Sequence, residues 1–260
     1  MWFCRYTLKP RRALSALAGV RPREGALLRV GDGFADVHPW PELGDARLDE
    51  QLALLARGET TPLTRRSLWF ASVWKRDLFE GLTIPRSHWP GSDPPEGFDT
   101  VKIKMPGGTL LDRYRLRLDF NNDAEAFARL APALPRERID FVEDPCPYEP
   151  ATWRDLQRRG FRLALDRVVA TEGVDVLVVK PAVQDVPNVE IPIIITSYMD
   201  HPIGQLHAAY VAAGSRETCG LVTHVLYEND PFIERMRIED ARLVPPDFTD
   251  LLEVLPWKRL

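Results

Sequence analysis

The stretch IDFVEDP, residues 139–145, joins a run of apolar, β-prone residues to two carboxylates and a proline. A short apolar run of this kind is typical of a buried strand, and a proline ends strand pairing. Unpaired carboxylates are costly to bury, so their position indicates that the strand leaves the core at this point. The stretch therefore predicts a core strand that ends at a site, which Glu143 faces.

Apolar runs of the same kind recur along the chain between residues 82 and 227. In order they are LTIPRS, TVKIKM, YRLRLDF, IDFVEDP, FRLALDR, VDVLVVKPA, IPIIITSY and CGLVTHVLY. Amphipathic stretches with helical spacing lie between some of them, namely DAEAFARLAPAL, EPATWRDLQRRG and GQLHAAYVAAG. Alternating strands and helices indicate parallel strands, and eight such strands predict an α/β protein with a (β/α)8-type barrel over residues 81–240.

Charged residues lie at the ends of five of these runs: Lys102, Lys104, Asp119, Glu143, Asp166 and Lys180. The C-terminal ends of parallel barrel strands converge on one mouth, so these side chains are predicted to surround a common cavity. A single charged residue at a strand end is usually a solvated turn residue or a helix cap. Their recurrence on successive strands favours a functional site.

Three of these residues, Asp119, Glu143 and Asp166, are carboxylates from consecutive strands. They offer the hard oxygen ligands that Mg²⁺ prefers, and crowding three anions without a cation is costly. We therefore expect a bound Mg²⁺, with Mn²⁺ as the alternative ion. The flanking lysines are candidates for proton transfer, because the pKa of an ammonium group falls readily in a desolvated site.

The bulk composition points to a small-molecule enzyme. Thirty-four basic and 38 acidic residues give a formal charge of −4, too balanced for a nucleic-acid or membrane surface as main partner. The three cysteines form no CxxC pair, which is typical of reduced thiols, and no signal-peptide core or bilayer-length apolar run is visible. We expect a cytoplasmic monomer.

The N-terminal part of the sequence shows a different pattern of predicted strands and helices. GALLRVGDGFADVHPW predicts two strands around a Gly-Asp-Gly turn, and LDEQLALLARG and RRSLWFASVWKRDLFEG predict two helices. These patterns indicate a small α+β capping domain over residues 1–80. The C-terminal tail, residues 241–260, is expected to pack on this domain or on the barrel.

Several barrel connections are too short for a helix. A crossover between parallel strands needs about ten to twelve residues or more, and MPGGTLLDR, HWPGSDPPEG and PAVQDVPNVE are short and broken by proline or glycine. We expect a barrel that lacks about three outer helices, after the first, second and sixth strands. The tryptophan-rich helix and the C-terminal tail are predicted to cover the strands left bare.

The strand-end motifs resemble those of a known group of enzymes. VKIK, LRLDFN, FVEDP, ALDR and VVKPA, in this order, are similar to the motifs of the enolase superfamily, in its muconate-lactonizing branch. GFADVHPWPELGD, ITSYMDHPIG and CGLVTHVLYENDPF further resemble the cap loop and the last two barrel strands of the o-succinylbenzoate synthase family. The resemblance covers nearly the whole chain.

The resemblance implies a role for each matched residue. Lys104 is expected to be the catalytic base, Lys102 to lower the pKa of Lys104, and Lys180 to lie on the opposite face of the substrate. The implied Mg²⁺ ligands are Asp119, Glu143 and Asp166. Residues implied to contact the substrate or to support the ligands are Arg117, Asn121, Ser197 and Gly204.

The implied reaction is the Mg²⁺-dependent syn dehydration of 2-succinyl-6-hydroxy-2,4-cyclohexadiene-1-carboxylate to 2-succinylbenzoate, in menaquinone biosynthesis. Proton abstraction by Lys104 would give an enediolate next to the metal. Two alternatives stay open from the sequence. The same residues could catalyse a 1,1-proton transfer, as in N-succinylamino acid racemase, or the shortened barrel could be a non-catalytic binding protein.

Overall fold

The N-terminal part of the chain forms an antiparallel sheet. In the computed structural model, which describes residues 1–14 and 19–260, this sheet has the order β13-β1-β2-β3. Its strands are β1 (Trp2–Leu8), β2 (Arg23–Val30), β3 (Gly33–Val37) and β13 (Lys258–Arg259). The predicted hairpin is confirmed as β2 and β3. β1 was not predicted, because its two buried residues, Cys4 and Leu8, lie four positions apart and do not alternate. β13 brings the C-terminal tail onto this sheet.

Two helices follow the hairpin, α1 (Leu48–Ala56) and α2 (Pro62–Val73). Thr61 and Thr64 form a reciprocal capping box at the start of α2. The helix packs closely on β3, because a side chain at Gly33 would collide with the carbonyl oxygen of Ala71. It was predicted to continue to residue 81 but ends at Val73, since the next residue is extended.

Seven parallel strands form the barrel sheet, in the same order as in the chain. They are β4 (Trp89–Pro90), β5 (Thr100–Lys104), β6 (Arg115–Asp119), β7 (Ile139–Glu143), β8 (Leu163–Asp166), β9 (Val176–Val179) and β10 (Ile193–Ile195). Cys219 and Gly220 form isolated parallel bridges to both edges of this sheet, with Ser87 and Thr196 respectively. The predicted barrel is therefore confirmed.

The first and last barrel strands differ from the prediction. The first strand pairs over Trp89–Pro90, beyond the predicted run LTIPRS. In the run CGLVTHVLY only Cys219 and Gly220 pair with the barrel wall, and a 3₁₀ turn follows at Thr223–Leu226. Both strands meet at the closing seam, where backbone hydrogen bonds from Cys219 to Arg86 and from Gly220 to Ile195 complete the wall.

Helices follow the third, fourth and seventh strands: α3 (Ala124–Leu130), α4 (Pro150–Arg158) and α5 (Pro202–Ala212). In the described ranges, the connections after the first, second and sixth strands contain no helix, as predicted. The connection after the fifth strand, residues 167–175, lacks a helix as well. This fourth gap was not predicted, although so short a link is below the usual length of a crossover.

Loops cover the strands that have no helix outside them. The outward-facing side chains Val101, Ile103 and Leu118 are at most 2% exposed. The loop after β5 folds directly onto this face, because a side chain at Gly108 would collide with Ile103, and Leu110 packs against the same cluster. The chain thus covers these strands itself, here through the loop after β5.

The two segments predicted to cover the strands, α2 and the C-terminal tail, contribute Phe70 and Leu252 to the same core cluster. Phe70 of α2 stacks on His207 of α5 with ring centroids 4.6 Å apart. In the tail, Trp257 packs on Phe34 at 5.8 Å. The rest of the C-terminal region forms a hairpin of β11 (Arg237–Glu239) and β12 (Arg242–Val244), followed by α6 (Thr249–Glu253). No helix in the described part of the chain is long and apolar enough to cross a membrane.

Candidate active site

The strand register brings the predicted charged residues to one end of the barrel. Lys104 pairs with Asp119, and Asp119 pairs with Glu143, so these three residues end neighbouring strands at one level. Asp166 ends β8, and Lys180 follows β9 directly. Because side chains alternate along a strand, the same face carries a lower apolar layer: Phe141, Ala164, Val176, Val178 and Ile194.

Ion pairs connect these side chains. Lys102 Nζ donates to Glu143 Oε1 at 2.7 Å and lies 3.2 Å from Asp119 Oδ2. Lys104 Nζ lies 3.7 Å from Asp119 Oδ2. Lys180 forms an ion pair with Asp166 on the other side of the group. The structure therefore brings together all six strand-end residues that the sequence singled out.

The two lysines of β5 have opposite electrostatic environments. Burial opposes the charge on Lys102, but the carboxylates of Asp119 and Glu143 outweigh it and raise the pKa of Lys102. Burial lowers the pKa of Lys104, and the charge on Lys102 lowers it further against the opposing effect of Asp119. The side chain of Lys104 is also more accessible, at 39% against 17% for Lys102. Lys104 is thus the lysine suited to give up and take back a proton.

The carboxylates form a site of oxygen donors. Glu143, Asp144 and Asp166 each offer an oxygen within 4.8 Å of the others, and this is the one such group in the described residues. Burial raises the pKa of Glu143, and burial together with Asp166 raises the pKa of Asp144 to about 8. Asp119 keeps a lowered pKa, because Lys102 and Lys104 outweigh its burial. Crowded oxygen donors of this kind fit a hard divalent cation, which favours their charged forms.

Asn121 and Arg117 lie at different levels of the barrel. The backbone N–H of Asn121 donates to Asp119 Oδ1 at 3.1 Å, so it orients that carboxylate. Arg117 lies two residues below Asp119 and is 2% exposed. Its guanidinium donates to Asp140 Oδ2 at 2.8 Å, to His88 Nδ1 at 2.9 Å and to the carbonyl of Thr218 at 2.7 Å. These contacts tie the first, third, fourth and eighth strands together from the inside.

Ser197 and Gly204 lie beyond the seventh strand. Ser197 Oγ is 2.5 Å from Thr223 Oγ1, and both residues are buried. Gly204 lies in the first turn of α5, where an added side chain would come within 2.5 Å of Asp200 Oδ2 and 2.7 Å of Asp36 Oδ2. Its surroundings are thus the interface between cap and barrel.

The cap segment of residues 33–45 packs on the loops of the barrel mouth. Trp40 Nε1 donates to the carbonyl of Tyr198 at 2.9 Å, and Tyr198 donates back to Asp45 Oδ2 at 3.0 Å. Arg167, directly after Asp166, donates to the carbonyl of Leu43 at 2.7 Å. The cap is therefore attached to the same loops that carry the charged residues.

Two sets of buried carboxylates were not assigned a role from the sequence. Asp144 was seen beside Glu143 but received no role. The second group is a pair of buried carboxylates, Asp36 of β3 and Asp200 before α5. Asp36 accepts from Tyr6 Oη at 2.6 Å and from the backbone N–H of His201 at 3.1 Å. Residues so far apart in the sequence give no local signal of their contact.

Solved structures with similar folds carry the same combination of cap and barrel. A dipeptide epimerase from Enterococcus faecalis V583, complexed with Mg and L-Leu-L-Tyr, superposes with a TM-score of 0.65 at 15% identity, covering 94% of this chain and 96% of that one. An o-succinylbenzoate synthase from Thermosynechococcus elongatus BP-1, complexed with Mg, gives 0.59 at 17% identity, covering 98% and 99%. The likeness shows that the chain has the fold of these Mg-complexed enzymes, a small cap domain on a parallel barrel.

Sequence comparisons narrow this class. The family model described as the o-succinylbenzoate synthase N-terminal domain matches residues 1–76. An o-succinylbenzoate synthase from Bdellovibrio bacteriovorus is 33% identical over 322 aligned residues, covering 98% of this chain and 97% of the relative. One from Pectobacterium atrosepticum is 24% identical, covering 75% and 80%. The chain belongs to the o-succinylbenzoate synthase family.

Proposed function

We propose that this chain is an o-succinylbenzoate synthase, a hydro-lyase that converts 2-succinyl-6-hydroxy-2,4-cyclohexadiene-1-carboxylate to 2-succinylbenzoate. The match to a synthase over nearly the full chain supports the reaction class. The observation that carries the mechanism is the pair of lysines on β5, of which Lys104 is the more accessible and has the lowered pKa.

Lys104 is the base in this mechanism. Its neutral amine takes the ring proton next to the substrate carboxylate, and the same ammonium then returns a proton to the hydroxyl group that leaves as water. One base serves both steps because the elimination is syn, with the proton and the hydroxyl on one face of the ring. Loss of water leaves the aromatic ring of the product.

The other two lysines stay cationic during the reaction. Lys102 lies between Asp119 and Glu143, which favour its charged form. Its charge keeps the pKa of Lys104 low and attracts the anionic substrate. Lys180, which forms an ion pair with Asp166, is proposed to face the substrate from the opposite side, where its charge would stabilise the developing ring.

Asp119, Glu143 and Asp166 would hold a Mg²⁺ ion, with Mn²⁺ as the alternative. When bound, this ion offsets the negative charge that gathers on the substrate carboxylate as the proton leaves. Glu143 and Asp166 belong to the group of close oxygen donors, which supports their assignment. Asp119 lies outside that group, and its place among the ligands is supported by its pairing with Glu143 in the strand register and by their shared ion partner, Lys102. Asn121 orients Asp119 through its backbone, which supports a place for it behind the ligands.

We propose supporting or substrate-binding roles, without a part in proton transfer, for three residues: Arg117, Ser197 and Gly204. Arg117 is buried and donates to Asp140, His88 and the carbonyl of Thr218, which favours a supporting role beneath Asp119. Ser197 lies on the seventh-strand loop, and we propose that this loop, up to Gly204, holds the succinyl carboxylate through backbone groups.

The pathway, cellular location and domain roles are proposed together with the reaction. We propose that the enzyme acts in menaquinone biosynthesis, in the cytoplasm and as a monomer, on a small-molecule carboxylate rather than on nucleic acid or membranes. Residues 1–80 are proposed to act as the cap and residues 81–240 as the catalytic barrel, with the tail of residues 241–260 joining the cap through β13.

The test is a direct assay of the purified protein with Mg²⁺ and the cyclohexadiene substrate. We expect the absorbance of the diene to fall as the aromatic product forms. A rate no greater than the uncatalysed one would remove the proposal. The same preparation is tested on an N-succinylamino acid, and racemisation without any dehydration would favour the racemase alternative, which the comparisons do not favour. A non-catalytic barrel would show neither activity.

A further inference from the structure

The proposed mechanism leaves one carboxylate of the site without a role. Asp144 directly follows Glu143 at the end of β7, and its backbone is in the left-handed region with φ of 45°. Successive side chains of a strand point to opposite faces, so an extended Asp144 would point away from Glu143. The left-handed turn re-aims it, and a carboxylate oxygen of Asp144 lies within 4.8 Å of oxygens of both Glu143 and Asp166.

The neighbouring strands fix Asp144 in this position. Its Oδ1 accepts from the backbone N–H of Asp166 at 3.2 Å, and its own N–H donates to the carbonyl of Ala164 at 3.1 Å. The carbonyl of Asp144 accepts from Asn122 at 2.8 Å. One hydrogen bond from β8 therefore orients the side chain, and two more hold its backbone between β8 and the loop after β6.

Asp144 also differs from the other acids of the site in its charge partners. Asp119, Glu143 and Asp166 each pair with a lysine. Among the residues that the structure describes, no lysine, arginine or histidine pairs with Asp144, which is 9% exposed. In its charged form, a buried carboxylate of this kind needs a positive partner, and none of the described side chains supplies one.

We propose that Asp144 supplies a fourth carboxylate to the divalent-cation site. The inference rests on the proposed function, because it uses the cation expected there. Asp144 adds a negative charge beside Glu143 and Asp166. Unlike theirs, its charge is not paired with a lysine among the described residues. Its contribution is to the affinity for the ion, and no proton transfer is assigned to it.

The test is cation binding by the purified full-length chain without substrate. Mn²⁺ is titrated and the free ion is counted by electron paramagnetic resonance, so the readout does not depend on activity. Asp144→Asn keeps the shape and the acceptor for Asp166, and asparagine tolerates a positive φ. We expect its dissociation constant to rise by about 10–100-fold. Asp144→Glu, which keeps the charge, should recover most of the affinity.

Two further variants make the result decisive. Asp112→Asn removes a fully exposed acid from the loop after β5 and should leave the affinity unchanged. Asp144→Gly accepts the left-handed backbone without any side chain, so it serves if the Asn variant folds poorly. Binding within twofold of the parent in both the Asn and the Gly variants overturns the inference.

Glu143→Gln separates this inference from the proposed function. It should weaken Mn²⁺ binding, because it replaces a charged ligand with a neutral one. If Glu143→Gln weakens binding and Asp144→Asn does not, only the role of Asp144 is lost. If neither changes the affinity, the cation site itself has been misassigned and the proposed mechanism fails with it.

Discussion

The buried acids Asp36 and Asp200, at the interface between cap and barrel, should make the protein less stable as the pH rises. Burial raises the pKa of Asp200 from 3.8 to about 7, and burial together with Asp200 raises the pKa of Asp36 well above its usual range. A carboxyl group whose pKa is raised by folding contributes its full stability when the pH is below its pKa in the unfolded chain. That stability is lost as the pH rises from about 4 through the folded pKa.

The size of the effect follows from the shift. Each pKa unit corresponds to 1.36 kcal/mol, so the shift of about three units for Asp200 gives on the order of 4 kcal/mol between pH 4 and pH 8. This is a large part of the roughly 5–15 kcal/mol by which domains are stable. Asp200→Asn keeps the shape and removes the charge. We therefore expect this variant to be more stable than the parent at pH 8 by up to about 4 kcal/mol.

The assay is urea unfolding of parent and variant at pH 5, 6, 7 and 8. Two buried histidines also change the stability of both proteins with pH. Burial lowers the pKa of His38 and His201 to about 3, so their contribution to stability grows as the pH rises from about 3 to about 6.5. Tyr6 and Tyr227 also lie near the pair. The difference between the two curves cancels these groups. If it stays constant from pH 5 to pH 8, the buried pair does not titrate as argued.

Three further predictions concern single residues. Lys104→Ala should abolish turnover while Mn²⁺ binding and the thermal midpoint stay near those of the parent, and near-native rates in the dehydration assay would show that the base is misassigned. Arg117→Leu should lower the free energy of unfolding by about 3 kcal/mol, because it breaks the ties to His88 and Thr218 and leaves Asp140 with fewer partners; urea unfolding checks this, and a loss below about 1 kcal/mol would contradict it. Gly33→Ala should cost about 1–3 kcal/mol in the same measurement, since the added methyl group meets the backbone of Ala71, and an unchanged midpoint would argue against close packing of α2 on β3.

The sequence predicted those parts of the site that repeat. Charges at the ends of successive apolar runs are visible because each run has its own boundary, and parallel strands bring their ends to one level. This reasoning located Lys104, Asp119 and Glu143 before any contact was known. The resemblance to a known superfamily then supplied their roles.

Features that depend on one backbone angle or on distant contacts were not predictable in this way. Asp144 reaches the site only through a left-handed residue, which the local pattern does not specify. Asp36 and Asp200 meet through the packing of the cap on the barrel. The loop that covers Ile103 was missed because a glycine-rich connection shows where a helix is absent, and not which surface the chain then covers.

The short seam at Cys219 and Gly220 has a consequence for local opening of the barrel. Two residues close the wall there through a few backbone hydrogen bonds, whereas β6 pairs with β5 over five residues and with β7 over four. Local unfolding begins where the fewest bonds must break, so the amide protons of the seam should exchange with solvent at a lower free energy than those of β6 and β7. The barrel can therefore open locally at Cys219 and Gly220 while the strands that carry Asp119 and Glu143 stay paired.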